Sequence, residues 1–201
     1  MASLLRQQIS RVFTRRHAFH CDPQDLGDID VSLLPRNVAV TFAARCARRV
    51  LPLFSAAWPS ASPRVLEGIA HTVDVLEAPE DYVIDDDIAR QNMMFLEQVA
   101  TSATHAPTAN RTARSIQAGY SATHMSVVHQ MAGAVHELTS QTVRLSEEAI
   151  RYCNCASLRR ESLIAESCDD FRRLVCFAID HRLTDDDPCS VKMMRENRVL
   201  T

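Results

Sequence analysis

His124, His129 and His136 stand in one helical stretch together with Glu137, and imidazoles at that density are the chain's main candidates for metal binding or proton transfer. Their spacing decides between the two. His129 and His136 are seven apart and fall roughly on one face. His124 and His129 are five apart and, on a continuous helix, diverge by about 140°. Neither the Glu-x-x-His spacing of di-iron bundles nor His-Glu-x-x-His occurs at any of them. The expectation is therefore of buried or interfacial histidines with satisfied hydrogen bonds, not a metal centre. His17 and His20 are three apart beside Cys21 and would share a helix face, but the arginines around them repel a cation. Cys153 and Cys155 point to different helix faces and offer no four-ligand zinc pattern.

Carboxylates are the other source of chemistry. Asp85, Asp86 and Asp87 form one triplet and Asp185, Asp186 and Asp187 another. The first precedes Ile88, Phe95 and Val99, the apolar face of a helix, so its expected role is an N-cap plus negative charge near the positive end of the helix dipole. A divalent ion would need further oxygen ligands from elsewhere. Nucleophilic and nucleotide chemistry have no motif here: Gly-x-Ser-x-Gly and Gly-x-x-x-x-Gly-Lys are both absent. No residue is assigned as catalytic, cofactor-binding or metal-ligating, and no cofactor is expected.

The elements that hold these residues are helical. Only 4 glycines occur in 201 residues, against about 14 at average usage, and sheet proteins need glycine in turns far more than bundles do. Phe42, Cys46, Val50, Leu53 and Ala57 recur at helical steps, with Arg45, Arg48 and Arg49 on the other side. Pro52 lies inside that pattern and predicts a kink or change of helix, because it cannot donate to the carbonyl of Arg48. Ser62 and Pro63 read as N-cap and first helical residue, with Leu66, Ile69, Val73 and Leu76 on the apolar face. From about Asn110 to Cys153 one stripe runs through Ile116, Tyr120, Thr123, Val127, Met131, Ala134 and Leu138, with Gly119, Gly133 and Ser140 as weak points where it divides. Ile164, Cys168, Phe171, Val175 and Ala178 line a last helix from about Ser157 to Leu183. The reading is an all-α single domain, a bundle or array of roughly six to eight helices joined by short loops.

Three regions follow: a basic amphipathic leader and acidic loop (1–30), a helical domain (31–188) and a loose C-terminal tail (189–201). The leader has the composition of an organellar presequence or of a docked bacterial helix, and the second is preferred. Lys192 is the only lysine among the 22 basic residues; this arginine skew is read as a mark of a GC-rich genome. A net charge of -3 gives no support for nucleic-acid binding. Seven cysteines without a secretory signal, three of them (Cys46, Cys168 and Cys176) within apolar helical patterns, argue against disulfides and for a reducing cytoplasm. No run of 18 apolar residues suggests a membrane span.

The run from Phe42 to Glu77, FAARCARRVLPLFSAAWPSASPRVLEGIAHTVDVLE, resembles the start of an all-helical immunity protein family of bacterial polymorphic toxin systems. The likeness is carried by Arg49, Val50, Leu51, Pro52, Phe54, Trp58, Pro59, Pro63 and Arg64. HMSVVHQMAGAVHELTSQTV, from His124, is a weaker echo of a later family helix, whereas the stretch from Tyr82 to Thr108 matches nothing in that pattern. The resemblance implies a non-catalytic protein that binds and neutralises a partner toxin. The carboxylates Asp85, Asp86, Asp87, Asp185, Asp186 and Asp187 are then the residues expected to meet a basic partner. The alternatives are a helical scaffold or regulator that forms a homodimer, and a metal-dependent enzyme in a helical bundle.

Overall fold

The computed structural model describes Leu26 and residues 29–196. The basic leader with His17, His20 and Cys21 lies outside the described residues, as does the end of the tail. Among the described residues the chain is all α, with seven helices and no strand: α1 (Arg36–Ala57), α2 (Pro63–Glu77), α3 (Asp86–Ser102), α4 (Pro107–Val127), α5 (Ala132–Tyr152), α6 (Ser157–Asp180) and α7 (Val191–Glu196). Short 3-10 turns at Val31–Leu33, Pro79–Asp81 and Ala103–His105 shape the connections.

The centre of the fold is α4, which packs most extensively on α5 and then on α1 and α3; α1 also lies along α5 and carries α2 and α6 on its flanks. The small residues of α4 explain this intimacy. Ala109, Ala113, Ala118 and Ala122 are buried, and a Cβ added at Gly119 would already touch Leu76 at 3.4 Å and Thr142 at 3.6 Å. Helices that approach this closely can share buried hydroxyls. Ser115 donates to the Thr142 carbonyl at 3.2 Å and lies 2.7 Å from the Ser146 hydroxyl, so these polar atoms are satisfied inside the core.

The α1 stripe forms as read: Phe42, Cys46 and Val50 are buried, with Leu53 and Ala57 partly so. Pro52 does not end the helix, which continues to Ala57. The opposite face is not left to solvent. Arg48 pairs with Asp74 and Glu77 of α2, while Arg45 and Arg49 converge on Asp170 of α6. Three arginines of the skewed composition therefore clamp α1 to its flanking helices.

Ser62 caps α2 by accepting from the Val65 N–H, with Pro63 at the first helical position. The long stripe through residues 110–153 is divided once, between Val127 and Ala132, so Val127 and Met131 are exposed instead of buried. The core register restarts at Val135, Thr139, Thr142 and Val143. The inward residues expected for α6, Ile164, Cys168, Phe171, Val175 and Ala178, are all buried. The residues after Pro188 differ from a loose tail: Val191 and Met194 of α7 are buried, and Arg195 pairs with Glu77. Apolar side chains at three-residue spacing are enough to dock even this short helix.

The cysteines correct two readings. Cys176 is exposed on α6, unlike buried Cys46 and Cys168. Cys153 and Cys155 form a disulfide, because α5 has already ended: Cys153 is extended (φ -67°, ψ 140°), and the two Cα atoms lie 5.4 Å apart. This corrects the reading against disulfides, which rested on the missing secretory signal and on Cys46, Cys168 and Cys176 in apolar helical patterns and did not weigh two cysteines placed just past a helix end.

Candidate functional site

The start of α3 and the end of α4 meet at one corner of the bundle. Asp85 is the N-cap of α3, its carboxylate accepting from the Ile88 N–H at 2.8 Å, which is the capping role read from the sequence. Asp86 and Asp87 occupy the first turn. Asp87 is well exposed, at 82% of its side chain, and pairs only loosely with Arg90, itself 69% exposed. Asp86 turns toward α4.

His124, in the last turn of α4, is buried and holds its Nε2 2.9 Å from Asp86 Oδ1. Its neighbour in space is His129. The helix wheel sends these two rings apart, but α4 stops at Val127 and the chain reverses through Val128–Met131. Gln130 adopts a positive φ of 53°, and the Met131 N–H closes back on the Met125 carbonyl at 3.2 Å. The reversal swings the His129 ring onto His124, with centroids 5.0 Å apart and planes nearly perpendicular. His129 Nε2 then reaches the same Asp86 Oδ1 at 3.1 Å. One carboxylate oxygen thus serves two imidazoles.

The electrostatics follow from this geometry. The hydrogen bond with His124 holds the Asp86 carboxyl below its ordinary range; desolvation opposes it, and the charge and hydrogen bond of His129 add smaller contributions in the lowering direction. The three aspartates offset the positive end of the α3 dipole. Asp86, His124 and His129 keep their donor atoms within 4.8 Å of one another, a set able to share a proton or to hold a cation.

The other predicted residues are distributed differently. His136 is a satisfied histidine, with Nε2 2.9 Å from the Leu34 carbonyl, and it is separate from the corner. Asp185 caps α1 from a distance in sequence, accepting from the Arg36 N–H at 2.6 Å. Asp187 accepts from the Thr184 N–H at 2.6 Å and its hydroxyl at 2.8 Å, which keeps its carboxyl below the usual range. Among the described residues, Asp186 alone of that triplet makes no such internal bond. Asn37 ties the same loop to α1 and α4, donating to the Asp187 carbonyl at 2.6 Å and accepting from Ser126 at 2.8 Å.

No family model, curated protein or solved structure matches the chain. Among the described residues no helix is long and apolar enough to cross a membrane.

Proposed function

We propose that this chain is a non-catalytic binding protein that neutralises a partner toxin, the function implied by the resemblance of Phe42–Glu77. The observation that supports it is the mixed surface around the start of α3. Asp85 and Asp87 are exposed there, and the apolar side chains of Val83, Val127 and Met131 are exposed at 74%, 48% and 53%. All three lie within three residues of Asp86 or His129, which are hydrogen-bonded to each other. Apolar anchors beside fixed charges are the usual makings of a protein interface, and the sign of the charge selects a basic partner. The second aspartate triplet contributes less to such a surface, because Asp185 and Asp187 already serve the fold.

The test is rescue of a host that expresses the toxin encoded beside this chain. The wild-type chain restores growth, and Asp87→Lys or Val83→Lys lowers affinity about tenfold or more without altering the circular dichroism spectrum. Failure of the wild-type chain to restore growth counts against the reading, as does full protection by both variants. A stable dimer in light scattering of the purified chain, with no toxin bound, favours a homodimeric scaffold instead.

A further inference from the structure

We propose that Asp86, His124 and His129 form a binding site for a divalent transition-metal ion of the zinc class, at the corner where α3 begins and α4 ends. The proposal does not rest on toxin binding. It rests on three donor atoms that the fold has already brought together: two imidazole nitrogens and one carboxylate oxygen, mutually within 4.8 Å. Zinc bonds of about 2.0–2.1 Å to nitrogen and oxygen place tetrahedral ligands about 3.3 Å apart. The two nitrogen–oxygen separations, 2.9 and 3.1 Å, are already close to that edge. Only the distance between the two ring nitrogens needs to be set, and His129 is the side chain free to set it, since it sits in the reversing turn and is 39% exposed.

The chemistry of the set chooses the ion. Two imidazoles with one carboxylate suit zinc, cobalt, nickel or copper, whereas calcium and magnesium prefer all-oxygen surroundings. Without metal each Nε2 carries the proton it donates to Asp86 Oδ1; binding displaces that proton from Nε2, leaving each neutral ring with its single proton on Nδ1, and the hydrogen bonds give way to metal bonds. No oxidation or covalent change is involved. The charges facing the corner are favourable: Asp85, Asp86 and Asp87 at the start of α3 are negative, the last-turn carbonyls of α4 point toward it, and Arg90 leans on Asp87. Three protein ligands leave the fourth tetrahedral corner on the solvent side, where Asp86 is 60% exposed, for water or for a donor from another molecule.

The experiment is calorimetric titration of the full chain with zinc chloride, with cobalt(II) as a spectroscopic probe. The expected result is one zinc per chain, a four-coordinate cobalt spectrum, no response to magnesium, and an unfolding temperature that rises with zinc concentration. His129→Gln, at an exposed turn position that leaves the core untouched, lowers zinc affinity about tenfold or more and abolishes the cobalt spectrum; Asp86→Asn does the same. The double variant His17→Gln/His20→Gln retains the site, as does His136→Gln. Absence of zinc binding by the wild-type chain overturns the proposal. So does equal binding by His129→Gln, or loss of binding in the leader variant.

Discussion

Replacing Asp170 with alanine tests the clamp between α1 and α6. The Asp170 side chain is 6% exposed, and its Oδ2 receives Arg45 Nε at 3.2 Å together with Arg49 Nη2; those arginines are 12% and 9% exposed. Arg49 also donates to Ser167 at 2.9 Å and lies 3.5 Å from Glu166, a carboxylate 47% exposed and so a weaker substitute. Removing one partner of a buried ion pair costs about 3–5 kcal/mol, because the remaining charge stays desolvated. Here two guanidiniums share the lost carboxylate, with partial compensation from Glu166 at the margin, so about 3–4 kcal/mol is expected. The assay is urea unfolding followed by circular dichroism and by the fluorescence of Trp58, the sole tryptophan, which packs on Phe54 and His105. With a slope of about 2 kcal/mol per molar urea the midpoint falls by about 1.5–2 M. The triple variant Arg45→Met/Arg49→Met/Asp170→Leu, which removes charge from both helices, stays within about 1 kcal/mol of the wild type. A shift below about 0.5 M for Asp170→Ala, or a triple variant as unstable as the single one, refutes the assignment of this stability to paired buried charge.

Two further outcomes follow from glycine packing and from a buried thiol. A Cβ at Gly68 of α2 would lie 2.6 Å from the Phe95 ring of α3, so Gly68→Ala loses about 1 kcal/mol net despite the better helix propensity of alanine; Gly133→Ala, with nothing within 4 Å, gains about half a kcal/mol, and both are read from thermal unfolding. Burial pushes the Cys46 thiol up from 9.0 to about 12, against the opposing pull of Arg49. The folded chain therefore keeps this proton where the unfolded chain releases it, and stability is present below pH 9 and lost between pH 9 and about 12. Comparing wild type with Cys46→Ala across that range isolates the effect, which is at most about 1.4 kcal/mol per pH unit; equal slopes refute it.

Most of the fold was legible because it is written in apolar spacing. The faces of α1, α2 and α6 follow from residues three and four apart, and the α2 cap from Ser62 and Pro63. What spacing on one element does not reveal is the partner across the core. Nothing local in Arg45, Arg49 or Asp170 tells that three residues from two distant helices converge. The same holds for Asp185, which caps α1 from the far end of the chain.

The corner of Asp86, His124 and His129 escaped for a more specific reason: the two histidines were judged by projecting them onto a helix that had already ended. The Cys153–Cys155 disulfide escaped differently, because the cysteines were read through the missing secretory signal and their apolar helical neighbours. A helix stop is read from glycine or proline, yet the reversal after Val127 contains neither: Gln130 itself takes the left-handed conformation, a strained choice for a residue with a Cβ that closing contacts must offset. The end of α5 at Tyr152, by contrast, lies where the sequence places it, with Cys153 turning extended and Asn154 after it. At unmarked ends the angular rule inverts. Side chains that a continuous helix drives apart are the ones a reversal can fold together, since the second residue is no longer bound to the first residue's axis. His124 stays anchored in the last turn of α4, His129 moves with the turn, and the first turn of α3 supplies the acid they share. The chemistry of this chain therefore gathers where its helical periodicity fails, at a junction whose two halves lie 38 residues apart at the nearer contact.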